Sequence, residues 1–319
     1  MLHASPSKNS TNVRTARTVR LARAALQAAY SLSDDLGSML AERLFTSPRR
    51  FARPPRERAV LATGRRFAVD VALRSPRWSG QTRRIVAWRW GQGPSVLLVH
   101  GWEGRGAQLG AFVEPLVAAG LSVVAFDAPA HGDSPGHRTY LTDLADAAIA
   151  VAAASGPLHA TLSHSFGAAA VLLAYHRGGL DAARNVMIAP NVLLEDSVGR
   201  FARAVGLDEA DRAGLEQRLG ASTGIPLASL RLPALTAGRD AALLVVHDRE
   251  DREVPFAQGE ALAAAWPAAQ LQSTSGVGHR RILRDPGVVA RAVELVRAGV
   301  PAPASDLVRE VDRHLLGAR

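Results

Sequence analysis

The chain has 319 residues, a formal net charge of +9 and no cysteine. At this length one large domain with additions buries about three quarters of its extended-chain surface, so no disulfide or metal staple is needed, and the missing cysteines exclude disulfides, thiolate metal sites and cysteine nucleophiles. No stretch approaches the roughly 18 uncharged apolar residues of a membrane span. Arg17, Arg20 and Arg23 fall where the apolar region of a signal peptide would lie, so no cleaved leader is expected.

The charge is uneven. Residues 1–90 carry 18 basic and 5 acidic side chains, a balance of +13, whereas residues 91–319 carry 20 and 24, a balance of −4. A basic front section suits an anionic membrane surface or an acidic partner. The arginines have no aromatic interleaving, so nucleic-acid binding is not expected, and a solvated arginine-rich face is the favoured reading.

Residues 1–12 are rich in Ser, Asn and Thr and read as disordered. From Val13 to Phe45 apolar residues recur at helical steps, with Arg14, Arg17 and Arg20 as a basic ridge. Ser33-Asp34-Asp35 reads as a break and a new N-cap, which gives two helices. Their apolar faces are expected to pack on the protein; a membrane interface is the alternative. Pro48 to Pro55 reads as a basic, proline-broken linker. Phe67–Leu73 and Arg84–Trp90 alternate like two antiparallel half-buried strands. Ser95–Val99 and Leu121–Phe126 are apolar throughout, as in strands buried on both faces of a parallel sheet. Each ends in a loop rich in turn residues, beginning His100-Gly101-Trp102 and Asp127-Ala128-Pro129. A helix over Phe112–Ala119 lies between them. A helix over Thr142–Ala154 precedes another strand from Leu158, which runs into Ser163-His164-Ser165-Phe166-Gly167 and an Ala-rich helical pattern. Asn185–Pro190 and Ala241–Val246 are further strands, Leu271–Thr274 a weaker one, and Phe256–Trp266 and Pro286–Ala298 helices. Residues 191–239 show helical periodicity without a strand.

Alternation of helices with apolar strands predicts an α/β fold with a doubly wound, mostly parallel sheet covered on both faces. The predicted divisions are a basic helical N-terminal extension and Pro/Arg linker (1–58), a first core part (59–190), a helical cap (191–239), a second core part (240–300) and a C-terminal helix or tail (301–319).

Sites in such sheets form beyond the carboxyl ends of the strands. Ser165 sits at a sharp strand-to-helix turn, where an exposed nucleophile is presented between small residues, here Ser163 and Gly167. Asp251 follows the strand ending at Val246, and His279 follows the last strand. A serine hydroxyl needs a base to take its proton. An imidazole can take that proton and return it to the leaving group, and a carboxylate fixes the imidazole's tautomer. Backbone N–H groups of Trp102 and Phe166 are candidate oxyanion donors. His100, His131 and His164 read as structural hydrogen-bonders, and Arg280-Arg281 as surface charge. No HExxH, GxxxxGK[ST] or GxGxxG pattern occurs in a supporting context, so no metal, ATP or NAD is indicated and no cofactor is expected.

Taken together, His100-Gly101-Trp102, Asp127 to Ser134, Ser163 to Gly167, Asp251 with Val254-Pro255, and Gly278-His279 resemble the α/β-hydrolase superfamily in its serine-nucleophile, carboxylesterase- and lysophospholipase-like branch. The resemblance covers residues 60 to 300. It implies an eight-stranded sheet with a helical cap after the sixth strand, Ser165 as nucleophile, Asp251 as acid, His279 as base, and Trp102 and Phe166 as oxyanion donors. Two residues depart from the pattern: Ser163 and Asp248 stand where glycine is usual. Asp248 is a rival carboxylate, as are Glu195 and Asp196 where relatives carry the acid after the sixth strand.

The expected activity is hydrolysis of a small-molecule acyl ester, with a thioester as a variant. The contrasting reading is a non-catalytic binding or scaffold protein of the same fold. A cytoplasmic location is expected, with peripheral contact at the inner membrane surface through residues 13–58 as the alternative. Deleting residues 1–50 is expected to leave hydrolysis of a short ester largely intact.

Overall fold

A computed structural model describes the backbone of residues 8–300 and the side chains from Thr18 onward. Of residues 1–12, expected to be disordered, 8–12 instead open a helix that continues to Leu32; residues 1–7, the side chains of Arg14 and Arg17, and the tail 301–319 lie outside the described residues. Two helices come first, α1 (Lys8–Leu32) and α2 (Asp34–Phe45), divided at Ser33, whose hydroxyl accepts the Leu36 N–H at 3.1 Å. That cap satisfies an orphan donor of the second helix and is why the chain breaks there.

Next come α3 (Pro55–Ala62), β1 (Arg65–Ala72), β2 (Thr82–Trp90) and β3 (Ser95–Val99). A 3-10 turn (Gly106–Phe112) leads into α4 (Val113–Ala118), followed by β4 (Ser122–Phe126), α5 (Leu141–Ala153), β5 (Leu158–His164), α6 (Phe166–His176) and β6 (Arg184–Ile188). The chain continues through α7 (Leu194–Val205), α8 (Glu209–Thr223), α9 (Leu232–Thr236), β7 (Ala242–Asp248), α10 (Ala257–Ala265), β8 (Ala269–Thr274) and α11 (Pro286–Arg297). Among the α-helices and strands, only α3 is absent from the sequence expectation. Its signal was the proline at its first turn, a position where the missing N–H is harmless.

The chain forms two units. One is built from α1, α2, Ser75–Arg77 and Leu193–Arg231, so the N-terminal helices share a unit with α7 and α8. Leu26, Ala29 and Ala41 are buried there, which is the packed alternative for these helices. The ring of Tyr30 lies where a Cβ on Gly37 would be, so α1 and α2 approach closely only because residue 37 is glycine. Arg218 of α8 reaches Asp35 at 2.7 Å and Glu42 at 3.4 Å, and Ser222 donates to Glu42.

The other unit comprises Pro48–Arg74, Trp78–Val192 and the chain from Leu232 onward. Its eight strands form one sheet in the order β1-β2-β4-β3-β5-β6-β7-β8. β2 runs antiparallel to both its neighbours, and the other pairings are parallel. β3 and β4 are buried along their whole length. Each core side chain such as Leu97, Leu98 or Val124 contributes about 1.5–3 kcal/mol by leaving water. Register then places the loops. Val99 pairs with Ser163, His164 with Ile188, and Ile188 with Val246, so the carboxyl ends of β3, β5, β6 and β7 emerge side by side. Among the described residues no helix is long and apolar enough to cross a membrane.

Candidate active site

The turn between β5 and α6 holds Ser165 at φ 53°, ψ −125°, a left-handed conformation that costs a non-glycine residue roughly 1–3 kcal/mol. The surroundings hold it there. The Ser165 N–H donates to the Ile188 carbonyl at 3.0 Å, and its own carbonyl accepts from Asn191 at 3.1 Å. A Cβ on Gly167 would fall 2.5 Å from the carbonyl oxygens of Val99 and His100, which is why the far flank must be glycine. On the near flank Ser163 is fully buried in β5, its hydroxyl directed at the Val186 carbonyl, so its Cβ is accommodated in the sheet.

The predicted residues come together. Ser165 Oγ lies 3.0 Å from His279 Nε2, and His279 Nδ1 lies 2.7 Å from Asp251 Oδ2. Burial alone would raise the Asp251 pKa. Hydrogen bonds from His247 and His279, the His279 charge and the Val254 N–H outweigh it and hold the carboxyl far below its ordinary range. Asp248 is occupied differently: it accepts from the Thr274 hydroxyl at 2.7 Å and from the Val277 and Glu250 N–H groups at 3.0 Å, which fixes the loop carrying His279. Glu195 makes an exposed pair with Arg231, and Asp251 is the carboxylate on His279.

Trp102 and Phe166 also meet. A Cβ on Gly101 would lie 2.8 Å from Ser165 Cβ and 3.4 Å from the Phe166 nitrogen, so only glycine lets the loop after β3 approach the turn this closely. The Trp102 and Phe166 rings stack edge to face at 5.8 Å. Neither backbone N–H has a partner among the described residues, the condition of a donor left open for a ligand.

Three buried histidines tie these loops together. His100 Nε2 accepts the Ala128 N–H at 2.9 Å, His131 Nε2 accepts the Glu103 N–H at 3.1 Å, and His164 Nε2 bonds the His279 carbonyl at 3.0 Å. Burial pushes His131 down to about 4; burial and the neighbouring His279 push His164 down to about 3. Their unfolded counterparts take up a proton below about 6.5. The unfolded chain therefore binds more protons than the folded one between about 6.5 and 4 for His131, and down to about 3 for His164, and stability falls as pH falls through that window. The His131 displacement alone is worth roughly 3 kcal/mol. Urea unfolding at pH 7, 5.5 and 4 is expected to show this loss; equal stabilities across the series would contradict it.

The residues read as a linker are instead fixed. Arg49 makes a two-pronged pair with Glu103 at 2.7 and 2.9 Å, Arg50 donates to the Ala130 and Gly136 carbonyls, and Arg53 binds Asp127 and Asp133. Three arginines read as solvated charge thus hold the loops after β3 and β4. A deletion of residues 1–50 would take Arg49 from the loop carrying Trp102 and Arg50 from the loop after β4. Sequence reasoning also missed His247, 3.4 Å from Asp251 Oδ2; its signal was its place four residues before the acid. Arg280, read as surface charge, pairs with Glu253 at 3.0 Å.

Ser165 and His279 open on a cleft of about 1330 Å³ whose apolar lining includes Phe51, Val60, Trp90, Val254 and Leu283. Among the described residues no group of three or more His, Cys, Asp or Glu side chains is arranged to hold a metal ion.

A family model described as the alpha/beta hydrolase family matches residues 96–292. No curated protein matches the chain by sequence. Among solved structures, Rv0554 from Mycobacterium tuberculosis is similar at 19% identity over 74% of this chain and 100% of its own, with a TM-score of 0.55. Est1E from Butyrivibrio proteoclasticus, solved with ferulic acid bound, is 18% identical over 67% of this chain and 93% of its own, TM-score 0.55. An esterase from Exiguobacterium antarcticum is 15% identical over 73% and 100%, TM-score 0.55. Sheet order, flanking helices and the matched span agree: the chain belongs to the alpha/beta hydrolase family.

Proposed function

We propose that the chain is a serine hydrolase cleaving small carboxylic esters through an acyl-enzyme on Ser165. The observation that carries this reading is the unbroken run of short distances from Ser165 Oγ to His279 to Asp251 at a strained turn. Backbone strain of this kind persists only where the surroundings enforce it. Ser165 Oγ attacks the ester carbonyl carbon while His279 Nε2 takes its proton. The charge that forms on the carbonyl oxygen falls to the Trp102 and Phe166 N–H groups, each worth about 3–4 kcal/mol. Collapse expels the alcohol, which receives the proton from His279 and leaves the acyl group on Ser165. Water then attacks that ester with the same proton relay, releasing the acid and restoring the serine. Asp251 stays ionised throughout and stabilises the imidazolium. The esterases among the structural relatives favour an ester, and the apolar lining of the cleft suits an alkyl or aryl acyl group. A thioester would pass through the same steps.

A fluorophosphonate probe tests the assignment directly. The folded protein is expected to form a stoichiometric adduct that maps to Ser165 and is absent from Ser165→Ala. A folded protein that resists labelling would return the chain to the reading of a non-catalytic binding protein.

A further inference from the structure

We propose that His247 is a positioning residue for Asp251, a second imidazole on the carboxylate oxygen that already faces His279; this rests on reading Ser165, Asp251 and His279 as a catalytic triad. His247 is next to last in β7, and its ring is fully buried, as the Asp251 carboxylate is. Its Nε2 bonds the Val254 carbonyl at 3.1 Å and lies 3.4 Å from Asp251 Oδ2. The Val254 N–H in turn donates to Asp251 Oδ1 at 3.0 Å, and the Glu253 N–H to the same oxygen at 2.8 Å. Oδ1 is therefore anchored by backbone, while Oδ2 lies between two imidazoles, His279 on the substrate side and His247 behind.

The ring has a prepared seat. A Cβ on Gly259 would fall 2.7 Å from His247 Nδ1, and the Phe256 ring meets the imidazole edge to face at 5.6 Å. Because Nε2 faces two acceptors, it carries the proton. Nδ1 is then a bare acceptor, and no donor reaches it. An orphaned buried acceptor destabilises a fold, and a leucine of similar volume would remove it while giving up the bond to the Val254 carbonyl. A side chain that carries an unpaired ring nitrogen into the core, yet aims its one N–H at the turn and oxygen that orient His279, is explained by what it does for Asp251. Fixing that carboxylate holds the base in line with Ser165.

His247→Leu tests this, with ester turnover and thermal melting measured on the full chain. The expected result is a fall in kcat of roughly ten- to a hundredfold at the pH plateau, the scale of a misplaced catalytic group. KM stays unchanged and the melting temperature moves little, because the substitution removes one orphaned acceptor and leaves another at the Val254 carbonyl. The acid limb of the kcat profile moves to higher pH, because a carboxylate without its second donor holds the His279 proton more firmly. The other groups facing the pair, the His164 ring at 4.7 Å and the Arg280–Glu253 pair, are untouched by the substitution. His247→Gln, whose amide N–H reaches the Nε2 position, restores most of the rate. In an Asp251→Asn background His247→Leu changes kcat by less than about twofold, as expected of groups acting as a unit. If Asp251→Asn lowers kcat but His247→Leu leaves both rate and acid limb unmoved, the positioning role is wrong and the triad stands. If Asp251→Asn itself leaves kcat unchanged, the triad reading fails and this role with it.

Discussion

His279→Ala is expected to lower kcat for a p-nitrophenyl ester by about 10⁴–10⁶-fold, or roughly 5–8 kcal/mol of transition-state stabilisation. Among the described residues the imidazole is the one base hydrogen-bonded to the Ser165 hydroxyl. The substitution leaves the local structure in place, because the bond from His164 goes to the backbone carbonyl of residue 279. Unchanged far-UV circular dichroism is therefore part of the expected result. Ser165→Ala should lose about as much, and the double variant no more than either single one, since each removal already disables the same proton transfer. Asp251→Asn should cost about 10⁴-fold, because an amide facing Nδ1 no longer enforces the tautomer that leaves Nε2 free to accept. A His279→Ala variant that keeps a tenth of the wild-type rate would mean another base serves Ser165, and the mechanism would have to be redrawn.

What the sequence made legible follows from what each feature depends on. The strands were readable because burial on both faces demands uninterrupted apolar runs, and β3, β4 and β7 carry them. Ser165, Asp251 and His279 were readable because each follows a strand and parallel register brings such loops together. The preference for Asp251 over Asp248 rested on spacing from Val254-Pro255 alone, since both lie in one short acidic loop; in the structure they differ in that Asp248 turns to the Thr274 hydroxyl and the Val277 N–H. The role of residues 48–54 was hidden. Its composition, proline and arginine, is that of a linker, and its order comes from ion pairs to residues about 50 to 80 positions away. The shared unit of α1, α2, α7 and α8 was equally unreadable, because helical periodicity shows that a face is apolar without naming its partner.

Arg53→Ala is expected to destabilise the protein by about 3–5 kcal/mol, the scale for stripping the partner from a buried charge. Asp127 is fully buried at the end of β4. Its Oδ1 accepts the Gly106 N–H at 2.9 Å, and its Oδ2 accepts the Asp133 N–H at 2.7 Å and Arg53 Nη2 at 2.6 Å. Burial raises its pKa, and those two N–H groups and the guanidinium pull it part of the way back. Without Arg53 the carboxylate keeps its desolvation cost and loses its only counter-charge among the described residues. The loss must therefore depend on pH. Asp127 is the group whose pKa rises further in the variant, so protonating it removes the unpaired charge, and the gap between Arg53→Ala and wild type narrows as pH falls toward 4. Asp133→Ala removes the exposed arm of the same guanidinium and should cost under about 1 kcal/mol. Activity falls with Arg53 as well, because Asp127 joins the loop after β3 to the loop after β4, and the first of these carries Trp102. Denaturant melts at pH 7 and 4.5 decide it: a pH-independent loss would assign Arg53 to packing over the Trp88 ring, 5.6 Å away, and not to the buried charge.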